Sequence, residues 1–167
     1  MGMKNSADND MVVGQIDISK ISFDQQSRYG LSKDLQGLKC IFVNKNLRAS
    51  VFKMLENKMP LNFVKSNSQP GLSLWAILVG GSIRIDMGYD YVHLCELMNN
   101  HITVREMLGH DSFDRFHYKL ETIENNISLF TPELLEEVNQ IILQAELVPA
   151  KKRGRQCAAW AIRQLRC

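Results

Sequence analysis

Histidine and cysteine side chains are the first candidates for chemistry in this sequence. The four histidines, His93, His101, His110 and His117, share one stretch of the chain with Cys95. Structural zinc sites typically combine two cysteines separated by about two to four residues with two histidines separated by about three to five, and neither pair occurs in this stretch. We therefore expect no bound metal and no cofactor.

Other catalytic arrangements have little support. Glu133, Glu136 and Glu137 form an acidic cluster, but a helix is predicted to begin beside them, and its dipole favours negative charge there. The Gly80-Gly81 pair lies inside an apolar segment and lacks the pattern of a phosphate-binding loop. No spacing of serine, histidine and aspartate indicates a catalytic triad. We expect this chain alone to be no enzyme.

Basic residues give better candidates for a binding site. Residues 39–65 contain six lysines and arginines against the single acid Glu56. Within this stretch Lys45, Arg48 and Lys53 lie on a predicted helix that can contact nucleic-acid phosphates. Such contacts give affinity without sequence choice, and they weaken with salt. A solvated charged helix face is an equally good interpretation of the three residues.

A second candidate group is His101, Thr103 and Arg105. Thr103 and Glu106 have the spacing of a capping box, which predicts that a short helix begins at Thr103. As the third helix of a helix-turn-helix, it would present Thr103 and Arg105 to DNA bases. A plain helical hairpin followed by a capped helix is the alternative, and the sequence pattern alone favours it.

Helices must position these side chains, because apolar residues recur mostly at helical spacing. The predicted fold is mainly α: a small helical bundle with a candidate helix-turn-helix, then a linker helix and an irregular tail. Asn44, Asp90 and Thr131 are predicted N-caps. Gly80 and Gly81 are expected to let another helix approach closely. The predicted helices cover 33–43, 44–58, 73–87, 90–98, 103–108 and 131–145.

Four segments are expected along the chain. They are a flexible N-terminal arm over 1–29, a helical, candidate DNA-binding domain over 30–110, a linker with one amphipathic helix over 111–145, and a basic tail over 146–167. The net charge of +2 comes from the tail, since residues 151–167 hold six bases and no acid. The segment 111–150 is acidic. Bulk charge therefore does not by itself indicate a nucleic-acid partner.

The central segment resembles a known family. The run QPGLSLWAILVGGSIRIDMGYDYVHLCELMNNHITVREMLGH is similar to the N-terminal region of ISNCY-type insertion-sequence transposases. Looser similarity extends the resemblance over roughly 14–145, and the ordered series is more specific than any one motif. The family pattern falls here at Pro70, Gly71, Leu74, Trp75, Ile77, Leu78, Val79, Asp90, Tyr91, Arg105, Met107, Leu108 and Gly109.

The resemblance implies a helical region that precedes an RNase H-like catalytic domain. Such domains hold two divalent metals with three acidic residues. No aspartate or glutamate follows Glu146, so no catalytic residue is carried over, and the metal belongs only to the missing domain. Because the resemblance stops after Ala145, we hypothesise that a frameshift replaced the catalytic domain by a chance basic peptide. A genuine short protein with a basic tail is the alternative.

The sequence thus predicts a truncated transposase fragment that binds transposon-end DNA in the cytoplasm. The expected DNA contacts are His101, Thr103, Arg105, Lys45, Arg48 and Lys53. Two other functions stay open: a stand-alone helix-turn-helix regulator, and a helical module that modulates an intact transposase. The expected partners are DNA and either an intact transposase or a second copy of the chain, with no membrane partner.

Overall fold

The computed structural model describes residues 16–23, 30–59 and 72–147, without the side chains of 146 and 147. Over these ranges there is no β-strand, which confirms the mainly α prediction, and no helix is long and apolar enough to cross a membrane. A short 3-10 turn, Ile18–Lys20, precedes seven α-helices. They are α1 Gly30–Val43, α2 Lys45–Lys58, α3 Leu74–Met87, α4 Tyr91–Asn100, α5 Ile102–Met107, α6 Leu120–Ile127 and α7 Pro132–Leu147.

A single residue, Asn44, separates α1 from α2. Its backbone is extended, at φ −82 and ψ 100, and its side chain accepts a hydrogen bond from the amide of Leu47 at 3.2 Å. The side chain thereby satisfies one of the amides that have no partner in the first turn of a helix. The predicted N-cap is confirmed, and it turns the chain sharply enough for α2 to pack back on α1.

Helix α3 lies at the centre of the bundle. All nine residues from Trp75 to Ile83 are buried, so the helix is covered on every side. Ser73 caps its first turn, and Gly88 ends it in the left-handed conformation at φ 66, as the sequence predicted. Helices α1, α4 and α6 pack around α3 and exclude solvent from these nine residues.

The two central glycines of α3 permit the closest of these contacts. A Cβ atom added to Gly81 would lie 2.6 Å from Cγ and 2.8 Å from Cβ of Phe130. One added to Gly80 would lie 2.5 Å from the terminal methyl carbon of Ile127. The expectation of a close approach at Gly80 and Gly81 is confirmed, and its partner is the segment that ends α6.

The segment 111–145 is more than a linker. Residues 120–126 lie outside all of the predicted helices, but they belong to α6, and its Ile123 and Ile127 are fully buried. In α7 the apolar side chains pack into the same core, partly against α2, instead of staying exposed. The boundary at residue 110 therefore does not separate two cores. The buried apolar residues of α7 are Leu134, Leu135, Val138 and Ile142.

The two ends of the chain are described only in part. Ile18 and Ile21 are buried and pack with α1, so residues 16–23 do not form the loose arm that the sequence suggested. The remainder of the predicted arm, residues 1–15 and 24–29, lies outside the described residues. So does the basic tail from 148 to 167, on which the frameshift hypothesis depends.

Alanine substitutions at the two glycines should have different costs. In an ordinary helix interior, Gly→Ala stabilises by up to about 1 kcal/mol. Gly81→Ala should instead destabilise by about 1–3 kcal/mol, because the new methyl group overlaps atoms close to the Phe130 backbone. Gly80→Ala should cost less, because only the flexible ends of the Ile127 and Met98 side chains must move. Urea unfolding of both variants measures the difference, and an equal or reversed ranking would contradict the packing described here.

Candidate nucleic-acid interface

The outward face of α2 is the most basic helix surface described. Leu47, Val51 and Leu55 bury one side of the helix against the core. Since residues about three to four apart share a helix face, the opposite side must meet solvent. Its exposed residues are Lys45, Asn46, Ala49, Ser50, Lys53, Glu56 and Asn57.

Other bases of this stretch have structural partners. The ammonium group of Lys58 lies 3.2 Å from the Glu137 carboxylate of α7, and that of Lys39 donates to the carbonyl of Ile21 at 2.6 Å. These contacts hold α7 and the 3-10 turn against the bundle. Among the described bases of this stretch, the candidates for binding that remain are therefore the predicted group of Lys45, Arg48 and Lys53.

Arg48 differs from its two lysine neighbours because it is half-buried. Its guanidinium lies over the ring of Phe42, 4.7 Å from the ring centroid, and Nη1 donates to the Phe42 carbonyl at 3.2 Å. Stacking on an aromatic ring is a contact that a lysine makes less well. Arg48 therefore attaches the first turns of α2 to the end of α1.

A chain of contacts links this bend to α5. Phe42 packs against Trp75, with ring centroids 4.9 Å apart. The indole N–H of Trp75 donates to the carbonyl of Met107 at 2.7 Å in a buried position. Trp75 therefore belongs to the core, and its single donor is satisfied at the end of α5.

The start of α5 differs from the prediction. The helix begins at Ile102 with His101 as its N-cap, and His101 Nδ1 accepts from the amide of Val104 at 3.4 Å. Thr103 lies inside the helix and is half-buried, so the capping box with Glu106 is wrong. Because α4 continues through Asn100, only His101 separates the two helices, and its ring nitrogen takes the place of the threonine hydroxyl.

Arg105 is used inside the protein. Its Nη1 donates to the carbonyls of Asn99 at 3.3 Å and Phe116 at 3.0 Å, and its Nη2 donates to that of Asp114 at 2.7 Å. One guanidinium thus joins the end of α4 to the loop that precedes α6. These bonds use three of the five N–H donors of the guanidinium and direct the side chain toward the protein.

The loop over residues 110–118 has its own carboxylate framework. Asp111 Oδ1 accepts from the amides of Phe113 at 2.8 Å and Asp114 at 2.7 Å. Asp114 Oδ1 accepts in turn from the amide of Phe116 at 2.8 Å. Two successive aspartate turns of this kind fix the backbone without regular secondary structure.

A hydrogen bond between the His110 and Tyr118 side chains joins the two ends of this loop, and Asn99 attaches the loop to α4. His110 Nδ1 lies 2.5 Å from Asp114 Oδ2, and Nε2 lies 2.6 Å from the Tyr118 hydroxyl oxygen. The His110 bond is the main reason that the pKa of Asp114 is below its ordinary value. Burial raises the pKa of Tyr118 to about 12, so its hydroxyl stays protonated at neutral pH. Asn99 accepts from the Tyr118 amide at 2.8 Å and donates to its carbonyl at 3.0 Å.

The structure thus separates the two predicted groups. Lys45, Arg48 and Lys53 share one helix, and the two lysines are exposed on it. His101 instead caps α5 through the amide of Val104, and Arg105 binds three carbonyls and positions the 110–118 loop. The ordered structure of this loop was not predicted from the sequence, although its Asp-x-x-Asp spacing is typical of consecutive aspartate turns.

The comparisons with known proteins add no relative. The sequence matches no protein-family model, and it is similar to none of the curated proteins and none of the solved structures with which it was compared. In the described ranges, no group of three or more histidine, cysteine, aspartate or glutamate side chains is arranged to hold a metal ion.

Replacing Arg105 should loosen the 110–118 loop. Arg105→Lys keeps the charge, but one ammonium cannot reach three carbonyls in the geometry of a guanidinium. We expect the amides of Phe113, Asp114 and Phe116 to exchange with deuterium about tenfold faster, which corresponds to about 1.4 kcal/mol of local stability. Arg115→Lys, at an exposed position of the same loop, is the matched control. Unchanged exchange in Arg105→Lys would refute the positioning role.

Proposed function

We propose that this chain binds double-stranded DNA through the exposed face of α2, as the N-terminal, DNA-binding region of an insertion-sequence transposase. The observation that carries the proposal is the exposure of Lys45 and Lys53 on a helix face whose only acid is Glu56. The class of protein comes from the sequence resemblance over roughly 14–145. The proposal assigns no catalytic step to this chain.

The spacing of the two lysines suits a duplex. Lys45 and Lys53 are eight residues apart, which is about 12 Å along the axis of an α-helix. The major groove of B-DNA is also about 12 Å wide. A helix that crosses the groove can therefore bring one ammonium group near the phosphates on each side.

Smaller side chains occupy the face between the lysines. Ala49 and Ser50 are short and exposed, so the helix backbone can approach the groove floor. Asn46 is exposed beside them and carries the amide group that pairs with the N6 and N7 edge of adenine. In this arrangement Lys45 and Lys53 supply affinity, and Asn46 supplies sequence preference.

The charge on other helices supports this orientation. Glu121 and Glu124 are exposed on α6, and Glu133 and Glu136 are exposed on α7. A DNA duplex approaching those helices meets like charge, while α2 offers the opposite charge. Acidic surfaces on the neighbouring helices thereby direct the duplex to α2.

Helix α5 is a weaker candidate for reading bases. Its most exposed large side chain is Ile102, 70% exposed, which offers no hydrogen-bonding group to a base edge. Arg105 is held by three carbonyls, and Val104 and Met107 are buried. The proposal therefore assigns His101 to capping α5 and Arg105 to positioning the 110–118 loop. It places DNA contact on Lys45 and Lys53 of α2, the helix that Arg48 attaches to the end of α1.

A salt titration with matched variants tests the proposal. We expect Lys45→Ala with Lys53→Ala to weaken binding to a fluorescent duplex carrying an insertion-element end, measured by anisotropy. The slope of log Kd against log salt should fall by about 1.8, since each lost phosphate contact removes about 0.9. A random duplex of the same length should lose affinity equally, because phosphate contacts are independent of sequence.

The control removes the same charge elsewhere. Lys33 and Lys119 are exposed on other parts of the chain, and their double alanine variant should keep the wild-type slope. Asn46→Ala should reduce the ratio of the two binding affinities, for the element-end duplex and for the random duplex. Equal losses in both double variants would contradict a role for α2, and so would an unchanged slope in the α2 variant.

A further inference from the structure

Phe113 is the most exposed large apolar residue described in this chain. Its side chain is 90% exposed at the tip of the 110–118 loop. Such exposure costs free energy in water, and an aromatic side chain of this kind buries about 150–250 Å² when it finds a partner. The two aspartate turns and the Arg105 bonds hold the loop, so Phe113 is presented on a fixed support.

An open groove lies beside this loop, between α4 and the start of α6. Its volume is about 240 Å³, and a cavity of about 150 Å³ is enough to hold benzene in an apolar interior. Burial raises the pKa of the Cys95 thiol, so this wall of the groove stays uncharged at neutral pH. The lining residues are Val92, Cys95, Glu96, Asn99, Asn100, His117 and Leu120.

Phe113 cannot fill the groove of its own chain in this conformation. The Asp111 carboxylate holds the Phe113 amide, and the ring points into solvent although the groove residue His117 is only four positions away. One loop thus carries the exposed Phe113 ring and also supplies His117 to the groove lining. A surface that carries both can pair with a second copy of itself about a two-fold axis, and each contact then occurs twice.

We propose that two copies of this chain form a symmetric dimer in which Phe113 of each enters the groove of the other. Charge complementarity favours this occupant: Arg115, exposed beside Phe113, approaches Glu96, exposed at the groove of the other copy. Aromatic residues and arginine are the types most enriched at the centres of interfaces. The α2 face takes no part, so the proposal is independent of DNA binding.

Sedimentation velocity of the full chain, from about 1 µM to about 1 mM, measures the association. Two inserted rings bury a small interface, so we expect a dimer with Kd in the micromolar range. Phe113→Ala should raise that Kd at least about tenfold. Val92 and Val43 are a matched pair, because both are 53% exposed but only Val92 lines the groove. Val92→Ser should weaken the dimer, and Val43→Ser should not.

A charge exchange distinguishes contact between copies from contact within one copy. Glu96→Arg and Arg115→Glu should each weaken self-association, because both contacts of the dimer become repulsive. An equimolar mixture of the two variants should associate as the wild type does, since each contact then pairs opposite charges.

Three results would overturn the proposal. They are a wild-type chain that stays monomeric at about 1 mM, a dimer that Phe113→Ala leaves unchanged, and single charge variants that fail to associate on mixing. Circular dichroism of each variant establishes that helix content is retained, so that a lost dimer reflects the surface and not unfolding. Duplex binding by a monomeric chain would leave the α2 proposal standing.

Discussion

The close approach of α3 to the chain around Phe130 is the contact on which the rest of this structure depends. Only glycine at positions 80 and 81 leaves room for the Ile127 and Phe130 side chains. This contact brings α6 and the beginning of α7 into the core, and α7 in turn packs on α2. Because α2 is covered on its apolar side by α1 and α7, its basic residues point outward. The exposure of the basic face of α2 thus depends on the close packing at Gly80 and Gly81, which places α7 against α2.

The same packing decides which charged side chains are available for binding. Lys58 and Lys39 join elements of the bundle, and Arg105 fastens the 110–118 loop to the end of α4. Among the described residues, no other helix covers the side of α2 that carries Lys45 and Lys53, and both are exposed. A composition count treats all of these bases alike, because it cannot show which ones the fold uses. The difference between the exposed lysines of α2 and the internally bonded Arg105 of α5 becomes clear only from the carbonyl groups that Arg105 contacts.

Local signals allowed much of the fold to be predicted from the sequence. The caps at Asn44, Asp90 and Thr131 and the stop at Gly88 depend on backbone groups a few residues away, and all are confirmed. The start of α5 was wrong because histidine is an uncommon cap, and α6 was missed because polar residues surround Ile123 and Ile127. The candidate site was predicted in part: the α2 residues form one face, but the internal role of Arg105 requires contacts with residues 9 and 11 positions away. No local pattern encodes such partners.

We propose that α2, and not α5, is the DNA-contacting helix. Backbone amide NMR shifts of the full, isotope-labelled chain, recorded during titration with an insertion-element duplex at low salt, distinguish the two helices. We expect the largest shift changes within Lys45–Lys53, with small changes over Ile102–Met107. Shift changes concentrated in Ile102–Met107, with α2 unaffected, would contradict the proposal and would return base recognition to the helix that carries Arg105.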